Sequence, residues 1–362
     1  MTDLPFVRER PPGTVETPLS LGQLRAFDAL IDARSPSEYA EDHLPGAINC
    51  PTLDDAERVL VGTAYKQRGA FEAKRIGAPI VARNIARHME ALFADKPRDW
   101  KPLVYCWRGG ARSGSLAHVM RQVGWEVMRL EGGYKAFRRQ VVADLDALPA
   151  RFRFEVVCGA TGTGKSRLLE ALAQTQAQVL DLEILAAHRG SLLGDLPDEP
   201  QPTQKAFETA IWQALSSFDA TRPVFVEAES KKVGNLRVPD VLMDRMRQGD
   251  CLTVETVREG RIALLLEDYA HLIAHPALLV EKIDCLTPLH GTERIEGWKA
   301  RIAEGDWRAL VTDLLDEHYD PAYRKSMYRN YVGAASATPV AVEDISREGF
   351  LRIAQGISAK LA

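Results

Sequence analysis

Eight residues in the middle of the chain fit the pattern of a phosphate-binding loop. Residues 159–166, GATGTGKS, match G-x-x-x-x-G-K-[ST] at every required position and follow the apolar run FEVVC. In such a loop, backbone N–H groups surround phosphate oxygens, Lys165 adds a positive charge and the Ser166 hydroxyl can bind Mg²⁺. A glycine-rich turn that binds nothing is the alternative. The predicted diphosphate-binding residues are Gly159, Ala160, Thr161, Gly162, Thr163, Gly164, Lys165 and Ser166.

A second loop whose residues could take part in a reaction begins at Cys106. Residues 106–113, CWRGGARS, lie between an apolar run and a predicted helix, so backbone N–H groups can converge on whatever the sulfur holds. Two glycines permit the backbone angles of such a curl, while Arg108, Arg112 and the helix N-terminus favour the thiolate. We therefore predict that Cys106 is a nucleophile assisted by both arginines. A buried structural cysteine at the end of a strand is the alternative.

Four acidic residues lie at the ends of predicted strands after the phosphate loop. Asp181 and Glu183 close the run QVLDLE, and Glu227 and Glu229 close PVFVEAE. Acidic residues at the C-terminal ends of parallel strands face the ligand crevice, so each is a candidate for a metal-binding or base role. A solvated surface carboxylate is the alternative for each.

The elements that must position these residues alternate between strands and helices. Residues 28–34 and 102–106 are predicted strands of the first half, and residues 154–158, 178–183, 223–229 and 251–257 are predicted strands of the second, which opens at Arg153. This alternation predicts an α/β fold with mostly parallel sheets. From about residue 290 the pattern becomes helical and polar. A helix after the second strand is predicted from the apolar residues Leu116, Val119, Met120 and Val123, with Gly124 closing it.

Composition excludes several classes of protein. With 46% hydrophobic and 27% charged residues, the 362-residue chain is typical of soluble globular proteins with two or three domains. No apolar run approaches the length of a membrane span, and residues 1–13 lack the apolar core of a signal peptide, so we expect a cytoplasmic protein. The net charge of −4 confines any nucleic-acid contact to a local patch. The five cysteines contain no CxxC pair, which argues against a disulfide framework or a zinc site.

Three blocks in the first half resemble a rhodanese domain. They are DARSPSEYAEDHLPGAINCP at 32–51, the Cys106 loop, and GWEVMRLEGGYKAFRR at 124–139. The resemblance implies that Cys106 attacks or carries a chalcogen, that Arg112 closes the loop, and that Asp32 and Arg34 stabilise the domain. The spacing C-x5-R from Cys106 to Arg112 is one residue longer than is common in sulfur-carrying rhodaneses. A wider loop of this kind suits selenium or a phosphate-sized group.

The order of motifs along the chain resembles the bacterial tRNA 2-selenouridine synthases. CWRGGARS and GATGTGKS are followed by DLEILAAHRGS at 181–191 and VEAESKKVGNLRVP at 226–239. The resemblance implies a rhodanese-like domain at residues 1–143, a linker at 144–152, a P-loop NTPase-like parallel-sheet domain at 153–289 and a helical C-terminal region at 290–362. Carried over by motif, His188, Arg189, Gly190 and Ser191 lie near the diphosphate or the modified base.

The same resemblance implies two reactions at the wobble position of tRNA. Geranyl diphosphate first geranylates the sulfur of 2-thiouridine, and selenium from selenophosphate then replaces the geranylthio group. The expected partners are the anticodon region of tRNA and a selenophosphate-producing enzyme, without a membrane. We expect Mg²⁺ on Ser166 and no bound redox cofactor.

Two other functions use the same motifs. An ATP-dependent kinase or ATPase with a sulfur-transfer domain keeps both loops and changes the bound nucleotide, whereas a tRNA-binding sensor uses both loops without catalysis. Residues 319–331 mix tyrosines with basic residues, which suits either single-stranded RNA or a helix packed on the P-loop domain.

Overall fold

A computed structural model describes residues 13–361, and at residues 326, 328 and 361 the backbone alone. The chain forms two units: one extends through Asp144 and includes Glu208–Ser216, and the other comprises Leu145–Phe207 and the chain from Ser217 onward. Residues 1–12, on which the expectation of a missing signal peptide partly rests, lie outside the described residues. Among the described helices, none is both long and apolar enough to cross a membrane.

Unit 1 is built on a five-stranded parallel sheet with the strand order β1-β5-β4-β2-β3. Its strands are β1 (Thr14–Val15), β2 (Ala29–Asp32), β3 (Ala47–Asn49), β4 (Pro102–Tyr105) and β5 (Met128–Leu130). Its helices are α1 (Leu21–Arg25), α2 (Pro36–Glu41), α3 (Asp55–Leu92), which is broken at Gly69, α4 (Ala111–Val123) and α5 (Gly133–Ala147). The two strands predicted in this half are confirmed as the neighbours β2 and β4.

Helix α4 follows the cysteine loop as predicted. Leu116 and Met120 are fully buried, whereas Val119 and Val123 are exposed, so the buried stripe is narrower than the sequence pattern indicates. Gly124 ends the helix in the left-handed conformation, with φ at 109°, which glycine adopts without a steric penalty. The buried face of α4 therefore fixes the helix against the sheet, and its first residue, Ala111, follows Cys106 by five positions.

A buried charged cluster holds the ends of β2 and α2 together. Arg34 and Asp32 are fully buried, and their atoms Nη2 and Oδ2 are 2.6 Å apart. Arg34 also donates to the Asp42 carbonyl at 2.6 Å and stacks 3.9 Å from the Tyr134 ring centroid. A buried charge needs such a set of partners, because leaving it unpaired is strongly destabilising. The implied stabilising role of Asp32 and Arg34 agrees with this geometry.

A segment from the second half of the chain completes unit 1. Helix α8 (Gln204–Ser217) contributes Glu208–Ser216 to this unit. Thr209 donates to the Asp42 carboxylate at 3.0 Å, and the indole N–H of Trp212 donates to Asp144 at 2.8 Å. The residues predicted as a linker, 144–152, form the end of α5 and a 3₁₀ turn at Leu148–Arg151.

Unit 2 contains a second five-stranded parallel sheet, with the order β12-β11-β6-β8-β7, and a short antiparallel hairpin. Its strands are β6 (Phe154–Cys158), β7 (Gln178–Leu180), β8 (Val224–Glu227), β9 (Lys232–Val233), β10 (Leu236–Arg237), β11 (Asp250–Thr256) and β12 (Thr338–Val342). Its first helices are α6 (Lys165–Gln174), α7 (Leu182–Ala186), α9 (Asp240–Arg247) and α10 (Arg258–Asp268). The remaining helices are α11 (Ala270–Ala274), α12 (Pro276–Asp284), α13 (Thr287–His290), α14 (Thr292–Glu304), α15 (Trp307–Leu314), α16 (Asp320–Asn330) and α17 (Arg347–Leu361).

The predicted strands of unit 2 are confirmed, and two of them are shorter than predicted: the strand predicted at 223–229 is Val224–Glu227, and the one predicted at 178–183 is Gln178–Leu180. The prediction at 178–183 is wrong for its last three residues, because Asp181 accepts a hydrogen bond from the Ile184 N–H and thereby begins α7. The C-terminal region is helical as predicted, but it also supplies β12, which pairs with β11 along five residues. Helix α17 packs against α6, so the end of the chain supports the phosphate loop.

Candidate functional site

The phosphate loop connects β6 to α6, as the motif requires. Gly159, Gly162 and Gly164 have φ angles of 153°, 80° and 89°, respectively. Residues other than glycine rarely adopt these angles. A Cβ on Gly162 would lie 2.8 Å from Leu265, and one on Gly164 would overlap the Phe350 ring. The Thr163 hydroxyl bonds to the Ala160 carbonyl at 2.9 Å. The loop therefore has the backbone curl that surrounds phosphate oxygens.

Two loop side chains meet the acidic ends of the neighbouring strands. The Lys165 ammonium lies 3.4 Å from a Glu227 oxygen. The Ser166 hydroxyl lies 3.2 Å from Glu183 Oε2 and 3.2 Å from Glu227 Oε2. Glu227 ends β8, next to β6 in the sheet, and Glu183 lies in α7 after β7, so parallel topology brings these side chains to one edge.

Glu183, Glu227 and Glu229 form a candidate metal site. One oxygen from each lies within 4.8 Å of the others. Burial, and next the charge of Glu227, raises the pKa of Glu183 and of Glu229. A set of hard oxygen donors whose negative charges repel one another fits Mg²⁺, and the Ser166 hydroxyl adds a further oxygen. Three of the four predicted carboxylates are thus brought together with the predicted metal-binding serine.

Asp181, the fourth predicted carboxylate, is engaged locally. Its Oδ1 accepts the Ile184 N–H at 2.9 Å and caps α7. Burial raises its pKa to about 6, although this hydrogen bond lowers it and the Glu227 charge raises it further. Its position orients α7, which carries Glu183.

The loop at residues 188–191 approaches the carboxylates from one side. A Cβ on Gly190 would lie 2.8 Å from Glu183 Oε1 and 2.9 Å from Glu229 Oε1. His188 is buried, accepts the Gly190 N–H at 3.1 Å and lies 3.3 Å from Asp195, and burial lowers its pKa. His188 therefore shapes the loop, while Gly190 permits the close approach to the carboxylates.

Arg189 contacts Asp268 and Tyr269, at the C-terminal end of α10. Its guanidinium donates to the Asp268 carbonyl and lies 5.3 Å from the Tyr269 ring centroid. The Ser191 hydroxyl lies 3.1 Å from the Tyr269 hydroxyl. These contacts join the loop to the helical region that begins at α10.

Three residues beside the phosphate loop carry no motif in the sequence. Arg261 of α10 donates to the Thr161 carbonyl at 2.9 Å and forms an ion pair with Asp320 at 2.6 Å. The Tyr323 hydroxyl accepts the Gly159 N–H. Asp320 and Tyr323 belong to the segment 319–331 noted in the sequence, but no local pattern predicts these contacts, which span between 59 and 164 residues of chain.

Residues 319–331 were predicted either to bind RNA or to pack on the P-loop domain. Tyrosine side chains of this segment that the structure describes pack within unit 2. Tyr323 contacts the phosphate loop, and the buried Tyr331 donates from its hydroxyl to the Glu229 carbonyl at 2.7 Å. The side chain of Tyr328, part of the same predicted segment, lies outside the described residues. The helix α16 thereby supports the strand that ends at the carboxylate cluster.

The cysteine loop of unit 1 curls as its glycines predict. Gly109 has a φ of 68°, and a Cβ on Gly133 would overlap the Cys106 carbonyl. The Cys106 sulfur is buried and lies 3.2 Å from the Ser113 hydroxyl, in the first turn of α4. Arg108 is exposed. The loop therefore places the sulfur at the N-terminus of a helix, where an anionic group is stabilised.

Arg112 has a partner that sequence reasoning missed. It forms an ion pair with Glu38 of α2, and a second contact between Arg112 Nη2 and Glu38 Oε1 measures 3.2 Å. Burial raises the pKa of Glu38, but the Arg112 hydrogen bond and charge outweigh it and lower the pKa to about 2. Arg112 thus ties the cysteine loop to α2. The capping box formed by Ser35 and Glu38 was the only local signal at this position.

Comparisons with known proteins identify both units. Residues 152–283 match the model of the tRNA 2-selenouridine synthase AAA domain, and residues 17–140 match the rhodanese-like domain model. A tRNA 2-selenouridine synthase of Marinobacter nauticus is 36% identical over 81% of this chain and 87% of its own length. One from Sulfurovum sp. is 31% identical over 83% and 89%, respectively. One from Nitrosomonas europaea is 35% identical over 66% of this chain, and the matched part spans 63% of that relative.

The ion pair between Arg112 and Glu38 predicts a pH-dependent contribution to stability. Because the pKa of Glu38 falls from 4.5 to about 2 on folding, the stabilisation is complete above pH 4.5 and is lost as the pH falls toward 2. Glu38→Gln should lower the free energy of unfolding by about 1–2 kcal/mol at pH 7 and by less at pH 3.5, measured by urea denaturation.

Glu126→Gln provides the control, because Glu126 is exposed and pairs with the equally exposed Lys101. That change should have little effect at either pH. An equal loss at pH 7 and pH 3.5 for Glu38→Gln would contradict the assigned ion pair.

Proposed function

Because the chain belongs to the tRNA 2-selenouridine synthase family, we propose that it converts 2-thiouridine of tRNA to 2-selenouridine. The proposed route has two steps: geranylation of the sulfur by geranyl diphosphate, and replacement of the geranylthio group by selenium from selenophosphate. The tRNA is bound through the anticodon region that contains the modified base. A selenophosphate-producing enzyme is the proposed supplier of selenium, and both enzymes would work in the cytoplasm.

The observation that carries this proposal is the complete phosphate loop beside a carboxylate cluster. The Lys165 ammonium lies 3.4 Å from Glu227, and the Ser166 hydroxyl lies 3.2 Å from both Glu183 and Glu227. Such a site binds a diphosphate irrespective of the group attached to it. It therefore suits a reaction in which diphosphate is the leaving group.

In the first step the sulfur of 2-thiouridine attacks carbon 1 of the geranyl group. A carbon–sulfur bond forms, the carbon–oxygen bond breaks, diphosphate leaves with the electron pair, and N3 of the base releases its proton to solvent. Backbone N–H groups of the phosphate loop and the Lys165 ammonium stabilise the developing charge on the leaving oxygen. Ser166 and the three glutamates would hold Mg²⁺, which neutralises further diphosphate charge when bound.

In the second step selenium from selenophosphate displaces the geranylthio group at carbon 2 of the base. The Cys106 thiolate attacks phosphorus, the phosphorus–selenium bond breaks and hydroselenide leaves. Hydroselenide then forms the carbon–selenium bond, its proton passes to N3 of the base and geranylthiolate leaves, while water hydrolyses the phosphoryl group from Cys106 to give phosphate. We assign the handling of selenophosphate to the Cys106 loop, since backbone N–H groups and the N-terminus of α4 favour an anion there. Arg108, which is exposed, is available to the incoming anion.

The experiment that tests this function supplies the purified chain with a 2-thiouridine anticodon stem-loop, geranyl diphosphate, selenophosphate and Mg²⁺, without ATP. Mass spectrometry of the nucleosides should detect S-geranyl-2-thiouridine first and 2-selenouridine later. A strict requirement for ATP, or a phosphorylated product in its presence, would favour a kinase. Ligand binding without any modified nucleoside would favour a sensor.

Lys165→Ala should abolish geranyl transfer in this assay. The ammonium offsets charge that develops on the diphosphate, and its loss should raise the activation barrier by about 3 kcal/mol or more, a rate loss of more than a hundredfold. Lys360→Ala, a change on α17 outside the phosphate loop, is the control. Geranylated nucleoside formed by Lys165→Ala at the rate of the unmodified chain would contradict the assigned role.

Cys106→Ser should separate the two steps. Serine is a far weaker nucleophile than a cysteine thiolate, so the variant should geranylate normally and accumulate S-geranyl-2-thiouridine while selenouridine formation falls. Cys285→Ser, at an exposed cysteine, is the matched control. Selenouridine formed at an unchanged rate, or loss of geranylation in a folded variant, would refute the division of labour between the two loops.

A further inference from the structure

An apolar pocket opens beside the phosphate loop of unit 2. It has a volume of about 560 Å³, which includes the part open to solvent. None of its fourteen lining residues is charged, and ten are leucine, isoleucine or valine. Helices α10, α11 and α15 provide most of the wall. A mostly apolar lining of this kind is typical of pockets that bury the hydrocarbon part of a small ligand.

The pocket begins at the phosphate loop itself. Thr161 of the loop is one of the lining residues. Leu265, another lining residue, packs on Gly162 so closely that a Cβ there would lie 2.8 Å from it. The Arg261 guanidinium holds the Thr161 carbonyl at 2.9 Å, which fixes this part of the loop to α10. A molecule with its phosphates in the loop therefore has the pocket next to its remaining part.

The loop at residues 188–191 borders the same pocket. Tyr269 lines the pocket, and its hydroxyl lies 3.1 Å from the Ser191 hydroxyl. Gly190, one residue earlier, is in close approach to Glu183 and Glu229. A single short loop thus contacts both the carboxylate cluster and the apolar wall, so these two surfaces are neighbours.

The lining decides which kind of group fits. A nucleobase carries donors and acceptors that cost free energy when they are buried without partners. Here the Tyr269 hydroxyl is engaged by Ser191, the Thr161 carbonyl is engaged by Arg261, and the remaining wall is mainly hydrocarbon. A hydrocarbon chain gains binding free energy from such a wall without requiring any polar partner.

We propose that this pocket holds the isoprenoid chain of the substrate whose diphosphate lies in the phosphate loop. The inference rests on the proposed function and adds to it the residues that select the chain. Val311 and Leu314 of α15, with Leu265 and Leu272, contact the chain. The pocket also excludes water from the allylic carbon, so that the sulfur of the tRNA base, and not water, is the nucleophile.

The first test uses the unmodified chain with Mg²⁺ and measures affinity by calorimetry for three probes: inorganic pyrophosphate, dimethylallyl diphosphate and geranyl diphosphate. Burial of each methylene strengthens binding by about fourfold. Geranyl diphosphate should therefore bind at least about tenfold more tightly than dimethylallyl diphosphate. Equal affinity for all three probes would overturn the proposal.

The second test narrows the pocket. Val311 is a half-buried lining residue, and Val311→Trp places a large ring in the space assigned to the chain. The variant should bind geranyl diphosphate at least about tenfold more weakly and inorganic pyrophosphate with unchanged affinity. Val332→Trp, at a valine that is 80% exposed and not part of the lining, should behave as the unmodified chain. An unchanged affinity of Val311→Trp for geranyl diphosphate would overturn the proposal.

These outcomes are separable from failure of the proposed function. The protein could geranylate 2-thiouridine and yet bind all three probes equally, with an affinity that Val311→Trp does not change. In that case the function stands and the pocket is wrongly assigned. If the chain instead binds Mg-ATP and Val311→Trp weakens that binding, the pocket holds a nucleobase and both proposals are refuted. If Val311→Trp does not fold, the series of three probes still decides the question.

Discussion

The candidate site depends on how tightly the phosphate loop is enclosed. A Cβ on Gly159 would lie 2.6 Å from the Thr163 hydroxyl and 2.9 Å from the Val254 carbonyl. Leu265 and the Phe350 ring close on Gly162 and Gly164 in the same way. The loop is therefore shaped by β11, α10 and α17 as well as by its own glycines. Because these neighbours come from distant parts of the chain, the curl that the glycines permit is held in place by the tertiary packing of unit 2.

Electrostatics adds the second constraint on the site. Three glutamates lie together at the edge of the sheet, and the Lys165 ammonium is one cation in contact with them. Burial and repulsion raise the pKa of Glu183 and Glu229, so the ionised form of the cluster requires additional positive charge nearby. Mg²⁺ with a diphosphate satisfies this requirement, because the cation offsets the carboxylates while the phosphates meet Lys165 and the loop N–H groups. Unit 1 uses a different arrangement, in which Arg112 is paired with Glu38 and the helix N-terminus faces the Cys106 sulfur.

The parts predicted from the sequence are those that short segments determine. GATGTGKS specifies its own backbone curl, and apolar runs such as FEVVC specify buried strands, so the phosphate loop and the predicted strands were identified. The contacts of Arg112 with Glu38 and of Tyr323 with Gly159 join residues 74 and 164 positions apart, respectively, and no local pattern encodes them. Strand β12 was missed because its sequence TPVAV is short and follows a polar helical region. The apolar pocket escaped prediction for the same reason, since its wall is assembled from several helices that each show only an ordinary buried face.

The central claim is that the phosphate loop and the three glutamates together hold a diphosphate and Mg²⁺. Calorimetric titration of the intact chain with inorganic pyrophosphate, with and without Mg²⁺, tests this claim directly. The account predicts that Mg²⁺ strengthens pyrophosphate binding at least about tenfold, and that Glu227→Gln removes most of this gain while preserving the fold. Pyrophosphate affinity that is the same with and without Mg²⁺, or a gain from Mg²⁺ that survives in Glu227→Gln, would contradict it.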